Sequence, residues 1–317
     1  AHRQRLFYAV GCHDDLDERV RQWLNRVRAK ARAGAHTPGE IVALDRVLHE
    51  ARLTKDPAER RLMHRAARVA AEAHRQAMRA CRPGMMEYEV EAEILHTFRR
   101  HGGVPAYNTI VGGGANGCIL HYVENNAPLG DGDLLLIDAG VELDCYASDI
   151  TRTFPVNGRF SEPQRALYEL VLEAQAAAIE KTRPGNTFND AHDAAVRVLT
   201  KGLKALGLLK GELRKLIKDG AYRAYFPHRT GHWLGMDVHD VGDYKEGERW
   251  RTLKPGMVTT VEPGLYIPPD ARVAKKWRGI GIRIEDDVLV TNKGHQVLSA
   301  DVPKTVDDIE ALMAETA

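Results

Sequence analysis

Two aspartates in the stretch DGDLLLIDAGVELDCYASDITRTF, residues 131–154, pose the chemical question of this chain. Leu134 to Ile137 form an apolar run bounded by Gly132 and Gly140, the pattern of a buried strand, and Asp138 stands at its mouth. Tyr146 to Phe154 is rich in β-branched and aromatic residues and carries Asp149, so it reads as a second strand joined to the first by a turn. Two carboxylates side by side in an interior lose hydration and repel each other, so the pair demands a proton, a basic neighbour or a metal ion. The plainer alternative makes Asp138 a turn or capping residue and pairs Asp149 with Arg152.

Later segments add candidates. Glu262 closes the strand-like GMVTTVEPG, and Glu285 lies in GIGIRIEDDVLVT, whose alternation predicts a strand. PHRTGHWLGMDVHD contributes His228, His232 and His239. A lone core histidine is more often structural than catalytic, but three this close together, mixed with Gly231 and Gly235, reverse that weighting. His228 and His232 have the i, i+4 spacing of a zincin helix, yet Arg229 stands where that motif keeps its glutamate base, which rejects it. If Asp138, Asp149, His232, Glu262 and Glu285 converge, four carboxylates balance two divalent cations and a neutral imidazole completes the set. Oxygen-dominated donors with one histidine suit Mn²⁺, or Co²⁺ or Fe²⁺, better than a structural zinc site closed by thiolates or several histidines. Two such ions can hold a shared hydroxide and polarise a carbonyl, the arrangement of metal-assisted hydrolysis.

The surrounding elements must deliver these groups to one place. Asp56-Pro57 opens a helix that runs to about Cys81 and stops at Arg82-Pro83-Gly84, and a second helix covers about Glu87 to Arg100. Tyr107 to Val111 and Cys118 to Tyr122 read as extended. GGGANG between them satisfies G-x-G-x-x-G but leads into no helix, so a tight turn is the better reading. A helix from about Ser161 to Thr182, with Leu167, Leu170, Val171, Ala174 and Ala178 on one face, ends in a second R-P-G, and another spans about Asn189 to Leu206. Gly132 precedes Asp138 by six residues, as Gly256 precedes Glu262. Two helices stopped at R-P-G and then a strand offering a carboxylate occur twice, which suggests two related halves meeting at a cleft.

At 317 residues the chain can bury a large core. Forty-five Lys plus Arg against forty-four Asp plus Glu give a formal charge of +1 with no long block of one sign, so nothing asks for nucleic acid or an anionic membrane. Cys12, Cys81, Cys118 and Cys145 show no C-x-x-C spacing and suit a reducing cytoplasm. No signal-peptide core and no membrane-length apolar run is present, so a soluble cytoplasmic protein is expected. Residues 1–54, with a charged helical stretch from about Asp15 to Ala33, read as the tail of a preceding domain plus linker, and 55–317 as the main domain.

The segments NGCILHY, LIDAG, SDITRTFPVNG, GHWLGMDVHDVG, TVEPGLY and GIGIRIEDD, in this order, closely resemble the bacterial Xaa-Pro aminopeptidases (aminopeptidase P). These are the proline-specific branch of a superfamily that also holds prolidase, methionine aminopeptidase and creatinase. The resemblance implies an α+β pita-bread fold with two pseudo-symmetric halves, preceded here by a remnant of an N-terminal domain. It implies a metallo-aminopeptidase that releases the residue before a second-position proline by attack of a metal-bridging hydroxide. Asp138 would bind one metal, Asp149 and Glu285 bridge both, and His232 with Glu262 hold the other. The metals would be two divalent ions, Mn²⁺ foremost, with Co²⁺, Fe²⁺ or Zn²⁺ accepted in vitro. Glu262 would shuttle protons; His121, His228 and His239 would surround the substrate; Tyr266 would stand near the metals; Tyr107 and Arg283 would wall the proline pocket. The local departure is HRTGH, residues 228–232, whose interior varies within the family. Relatives carry a full N-terminal domain, which helps assemble homo-oligomers, a dimer or tetramer, whereas residues 1 to about 40 match only its last strand and helix. The nearest alternative is prolidase, restricted to Xaa-Pro dipeptides. Metal-free creatinase chemistry is disfavoured by the intact ligand set, and a catalytically silent peptide-binding homologue is the remote alternative.

Overall fold

The computed structural model describes residues 4–315 and divides into two compact units, 1–52 and 53–317. In the first unit, β1 (Arg5–Tyr8) and β2 (Glu40–Ala43) pair in parallel, Leu6 opposite Ile41, with α1 (Asp14–Arg28) in the crossover. The helix is shorter than the charged stretch that continues to Ala33, where a 3₁₀ turn (Ala31–Ala33) takes over. Beyond Val27 the chain offers Arg28, Lys30 and Arg32 and nothing larger than alanine to bury, so packing holds no further helical turn. A short helix, α2 (Asp45–Leu53), leads out of this unit and was not foreseen from sequence.

The second unit opens on α3 (Pro57–Ala80), started by a capping box: Asp56 accepts from the Ala58 and Glu59 amides while Glu59 accepts from the Asp56 amide. Next come α4 (Glu87–Arg100) and strands β3 (Val104–Pro105), β4 (Ile110–Gly113), β5 (Leu134–Asp138), β6 (Val141–Leu143), β7 (Tyr146–Ala147) and β8 (Thr151–Pro155). Then α5 (Glu162–Ile179), α6 (Phe188–Ala205) and α7 (Leu213–Lys218) precede β9 (Lys245–Glu246), β10 (Arg249–Trp250), β11 (Val258–Val261) and β12 (Gly264–Ile267). The chain closes with β13 (Ile280–Arg283), β14 (Asp286–Val290), β15 (His295–Val297) and α8 (Val306–Ala314).

The repeat read from sequence has a conformational counterpart. Gly84 and Gly185, ending the two R-P-G stops, have φ of +90° and +87°; Gly132 and Gly256, six residues before Asp138 and Glu262, have +85° and +94°. All four occupy the left-handed region that costs glycine little and other residues more. Strand order is β4-β5-β8 in one sheet and β11-β14-β15 in another, all antiparallel, with β3-β6-β7 and β12-β13 as smaller sheets. Ala66, Ala70, Ala73 and Ala77 of α3 and the predicted face of α5 join the strands in one core.

Three strand expectations need correction. The second aspartate strand is not continuous: β7 and β8 are separate, because residues 139–150 leave the main ladder as a small hairpin turned at Asp144 and Cys145, whose φ angles are +49° and +66°. GIGIRIEDDVLVT is likewise two strands, since β13 pairs with β12 while β14 pairs with β11, and the chain must step between sheets at Ile284-Glu285. Cys118 to Tyr122 is no strand; a 3₁₀ turn (Gly114–Cys118) occupies the glycine-rich run and irregular chain follows.

The halves are tied by Arg152, which is fully buried. Its guanidinium pairs with Asp286 at 2.7 Å, not with Asp149, and donates to the carbonyls of Thr151, Glu285, Val302 and Pro303. Arg152→Met should therefore strand several buried acceptors at once and cost roughly 3–5 kcal/mol, read as a fall in the urea midpoint. A loss under about 1 kcal/mol would show that these bonds are replaceable.

Candidate metal centre and substrate cleft

Each acid of the predicted set leaves the chain where a ladder stops. Asp138 is the last residue of β5, Asp149 lies between β7 and β8, Glu262 between β11 and β12, and Glu285 between β13 and β14. Inside a ladder side chains alternate between faces; at an interruption the backbone is free to turn the next side chain toward a common point. The freed amides find other partners. Asp149 donates its N–H to Asp287 Oδ2 (3.2 Å), Glu262 to the Thr230 carbonyl (2.9 Å) and Glu285 to the Thr151 carbonyl (3.0 Å). His232 is held beside β11 by its own N–H to Thr260 Oγ1 (3.1 Å), an approach that Gly231 permits because a Cβ there would strike the Thr260 carbonyl.

The side chains converge as acids in need of protons or cations. The Tyr107 hydroxyl lies 2.6 Å from Asp138 Oδ1 and 2.6 Å from Asp149 Oδ1. One hydroxyl has one proton to give, so the second contact requires a shared proton. Arg283 donates from Nη2 to Asp138 Oδ2 (2.6 Å), from Nη1 to the Tyr266 hydroxyl (3.0 Å) and from Nε to Thr151 Oγ1 (3.0 Å), while Thr151 donates to Glu285 Oε2 (2.6 Å). His228 Nε2 meets the Tyr266 hydroxyl at 2.8 Å.

His232 carries the clearest sign of a ligand. Its Nδ1 lies 3.0 Å from the Trp233 carbonyl, which can only accept, so Nδ1 bears a proton and Nε2 faces Asp149 Oδ2 (3.2 Å) and Glu262 Oε1 (3.7 Å). A neutral imidazole would point a lone pair at carboxylates; without a cation between them, a proton must sit either on Nε2 or on a facing carboxyl. Burial alone would lower its pKa, but the hydrogen bond and charge of Asp149 raise it to about 9. Burial, with the charge of Asp138, pushes the Asp149 carboxyl up against an opposing His232 hydrogen bond; burial and then Asp149 push Glu285 up, and burial takes Glu262 to about 7. Ligand atoms of Asp149, His232 and Glu285 all lie within 4.8 Å of one another. This donor set fits divalent cations: bringing them in would satisfy the acids and let His232 be neutral.

The cluster opens onto a cavity of about 470 Å³. Tyr107, His121, His228, His239 and Arg283 all line it, with apolar Ile110, Leu120 and Val238. Tyr266 is buried behind His228 and touches the group through the His228 and Arg283 hydrogen bonds. The His239 and His232 ring centroids are 4.3 Å apart. Burial and then Arg283 lower the His228 pKa to about 4, so that ring is neutral near pH 7. Sequence reasoning missed Thr151, which links Arg283 to Glu285, and Asp287, a buried acid whose Oδ1 has no partner among the described residues. The run Glu285-Asp286-Asp287 was the available signal.

The model of metallopeptidase family M24 matches residues 61–292. An Xaa-Pro aminopeptidase of Escherichia coli (strain K12) is 50% identical over 309 residues, covering 97% of this chain and 70% of its own length. Among solved structures, aminopeptidase PepP of Pseudomonas aeruginosa superposes with a TM-score of 0.96 at 59% identity, covering 99% of this chain and 72% of that one. A glutamate-to-alanine variant of Escherichia coli aminopeptidase P in complex with substrate gives 0.95 at 48% identity, covering 99% and 71%. The chain thus spans about seven-tenths of the length of these relatives.

The protonation pattern makes a pH prediction for chelator-stripped protein. His232 has its folded pKa raised from 6.5 to about 9, so its contribution is complete below 6.5 and is lost as pH rises through 9. Across that window the metal-free protein should lose stability, on the order of 3 kcal/mol from this group. His232→Gln should flatten the slope in thermal melts, and an unchanged slope would remove the imidazolium from the account.

Proposed function

The chain belongs to metallopeptidase family M24, among its Xaa-Pro aminopeptidases with their pita-bread fold, and from that premise we propose that it releases the first residue of peptides carrying proline second, using two divalent cations. We assign Asp138 to one cation, Asp149 and Glu285 to both, and His232 with Glu262 to the other. The observation that carries this is His232 Nε2 turned onto Asp149 and Glu262 with its Nδ1 proton committed to a carbonyl. When bound, the cations supply an activated water and polarise the scissile carbonyl. Mn²⁺ suits the four oxygen donors and single imidazole best.

The remaining steps fall to side chains of the chain itself. Glu262, facing His232 at the edge of the cluster, is assigned to take a proton from water and return it later. An Xaa-Pro bond has a tertiary nitrogen with no N–H, so the departing proline nitrogen must be given a proton. His121, His228 and His239 stand on the cavity wall, where they can hold the peptide beside that nitrogen. Arg283 holds Asp138 in place while orienting the Tyr266 hydroxyl toward His228. Tyr107, bound to both aspartates, and Arg283 also form cavity wall, where a rigid proline ring would lie against them. The cytoplasmic reading is supported by free thiols at Cys12, Cys81, Cys118 and Cys145, and among the described residues no helix is long and apolar enough to cross a membrane.

Chelation should abolish cleavage of an Xaa-Pro-Xaa tripeptide and Mn²⁺ should restore it; turnover undiminished in metal-free protein would refute the two-cation reading. A protein that cleaves Xaa-Pro dipeptides and leaves the tripeptide intact would be a prolidase instead. Asp149→Asn should lose bound metal by elemental analysis along with at least a 100-fold loss of rate, about 3 kcal/mol in the barrier.

A further inference from the structure

His74, on α3, is fully buried and lies outside the cavity wall. Its Nε2 is 3.1 Å from the Ala139 carbonyl, and the Ala139 N–H donates in turn to the Ile150 carbonyl at 3.0 Å. Ala139 follows Asp138 and Ile150 follows Asp149, so this bonded pair is the neck at which the 139–150 hairpin leaves the main ladder. A carbonyl can only accept, so Nε2 carries the ring proton and Nδ1 presents a lone pair. Nδ1 is buried and has no partner among the described residues. A lone pair left so costs roughly 1–3 kcal/mol, a cost that leucine or methionine on the same helix face would avoid. The donor at Nε2 must do something that an apolar side chain cannot. Burial keeps the ring neutral, its pKa lowered to about 4 although the Ala139 and Ile150 backbones it faces oppose this, so it can donate at the neck without adding charge beside Arg152.

The neck is where such a bond matters. Asp138 and Asp149 are separated in sequence by an excursion whose own strands, β6 and β7, pair with β3 and with each other rather than with the ladder. A small rotation of the Ala139 peptide would move one carboxylate relative to the other, and cation affinity depends steeply on the placement of ligands by groups behind them. We propose that His74 is a positioning residue that fixes the separation of Asp138 and Asp149 through the Ala139 carbonyl, and so sets the affinity for the divalent cation that they hold together. The inference rests on the two-cation reading above.

Mn²⁺ titrated calorimetrically into the chelator-stripped full chain tests it, with a thermal melt of each metal-free protein alongside. His74→Phe keeps bulk and loses the donor; His74→Gln keeps a donor. The phenylalanine variant should bind Mn²⁺ at least about 10-fold more weakly than the unaltered protein, beyond any change in its metal-free melting temperature, and the glutamine variant should recover most of that loss. Affinity unchanged in His74→Phe, even with a lowered melting temperature, would reduce His74 to a packing residue, as would equal weakening in both variants. Should His74→Phe not fold, His74→Asn replaces it, since its amide falls short of the carbonyl: weaker binding than His74→Gln upholds the proposal and equal binding overturns it. If the unaltered protein takes up no Mn²⁺, the two-cation reading fails, a result distinguishable from failure of this inference.

Discussion

Mutual repulsion among buried acids is the constraint around which the second unit is arranged. Asp149, Glu285 and Asp287 are all nearly inaccessible, and Asp138 and Glu262 are only slightly less enclosed. Such a cluster is unfavourable unless something positive reaches it. The protein supplies only part of that charge. Arg283 serves Asp138 directly, and it reaches Glu285 through its charge and through the Thr151 hydroxyl. The rest is left to protons shared by carboxyls and by His232, the deficit that divalent cations would fill.

Three consecutive acids show that the deficit is local. Asp286 meets Arg152, Lys304, Ser299 and Gln175, and Arg152 with Lys304 holds its pKa low in spite of burial. Its neighbours, Glu285 and Asp287, are pushed up, first by burial and then by Asp149. Strand alternation separates these fates, since Asp286 begins β14 facing the basic side and Glu285 sits in the step before it. The same segment therefore stabilises the fold with one carboxylate and leaves another available for chemistry. Catalytic sites commonly keep such unsatisfied groups at the expense of stability.

Much of this was legible in the residues, and the illegible part has one cause. Apolar runs, R-P-G stops and paired glycines are local signals, and they located α3 to α6, β5, β11 and the duplication to within a few residues. The interruptions are set by partners distant in sequence. Nothing within Tyr146 to Phe154 says that Ala139 will bond Ile150, and nothing within GIGIRIEDDVLVT says that its two ends pair with different strands. For the same reason Arg152 could be suspected as the partner of Asp149, three residues away, when its real partner is Asp286. The four acids and the histidine that the structure gathers were identifiable by type, while Thr151, Asp287 and His74 became visible only through contacts between segments.

Duplication also bears on how the site and the fold support each other. The first half contributes Asp138, Asp149 and Tyr107; the second contributes His232, Glu262, Arg283 and Glu285. Neither half holds a complete donor set, and the seam between β8 and β13 is bonded through Thr151 and Thr153 to Arg283 and Glu285, the same residues that order the cluster. A cation drawing Asp149 and Glu285 together would therefore pull across the junction of the halves, so that its binding free energy would become folding free energy. Conversely, loosening the seam would move these side chains apart even with all of them present. That coupling explains why a buried arginine, a threonine and a histidine that line no cavity stand in the seam and its immediate supports: a site assembled from two halves is only as well placed as the groups that hold the halves in register.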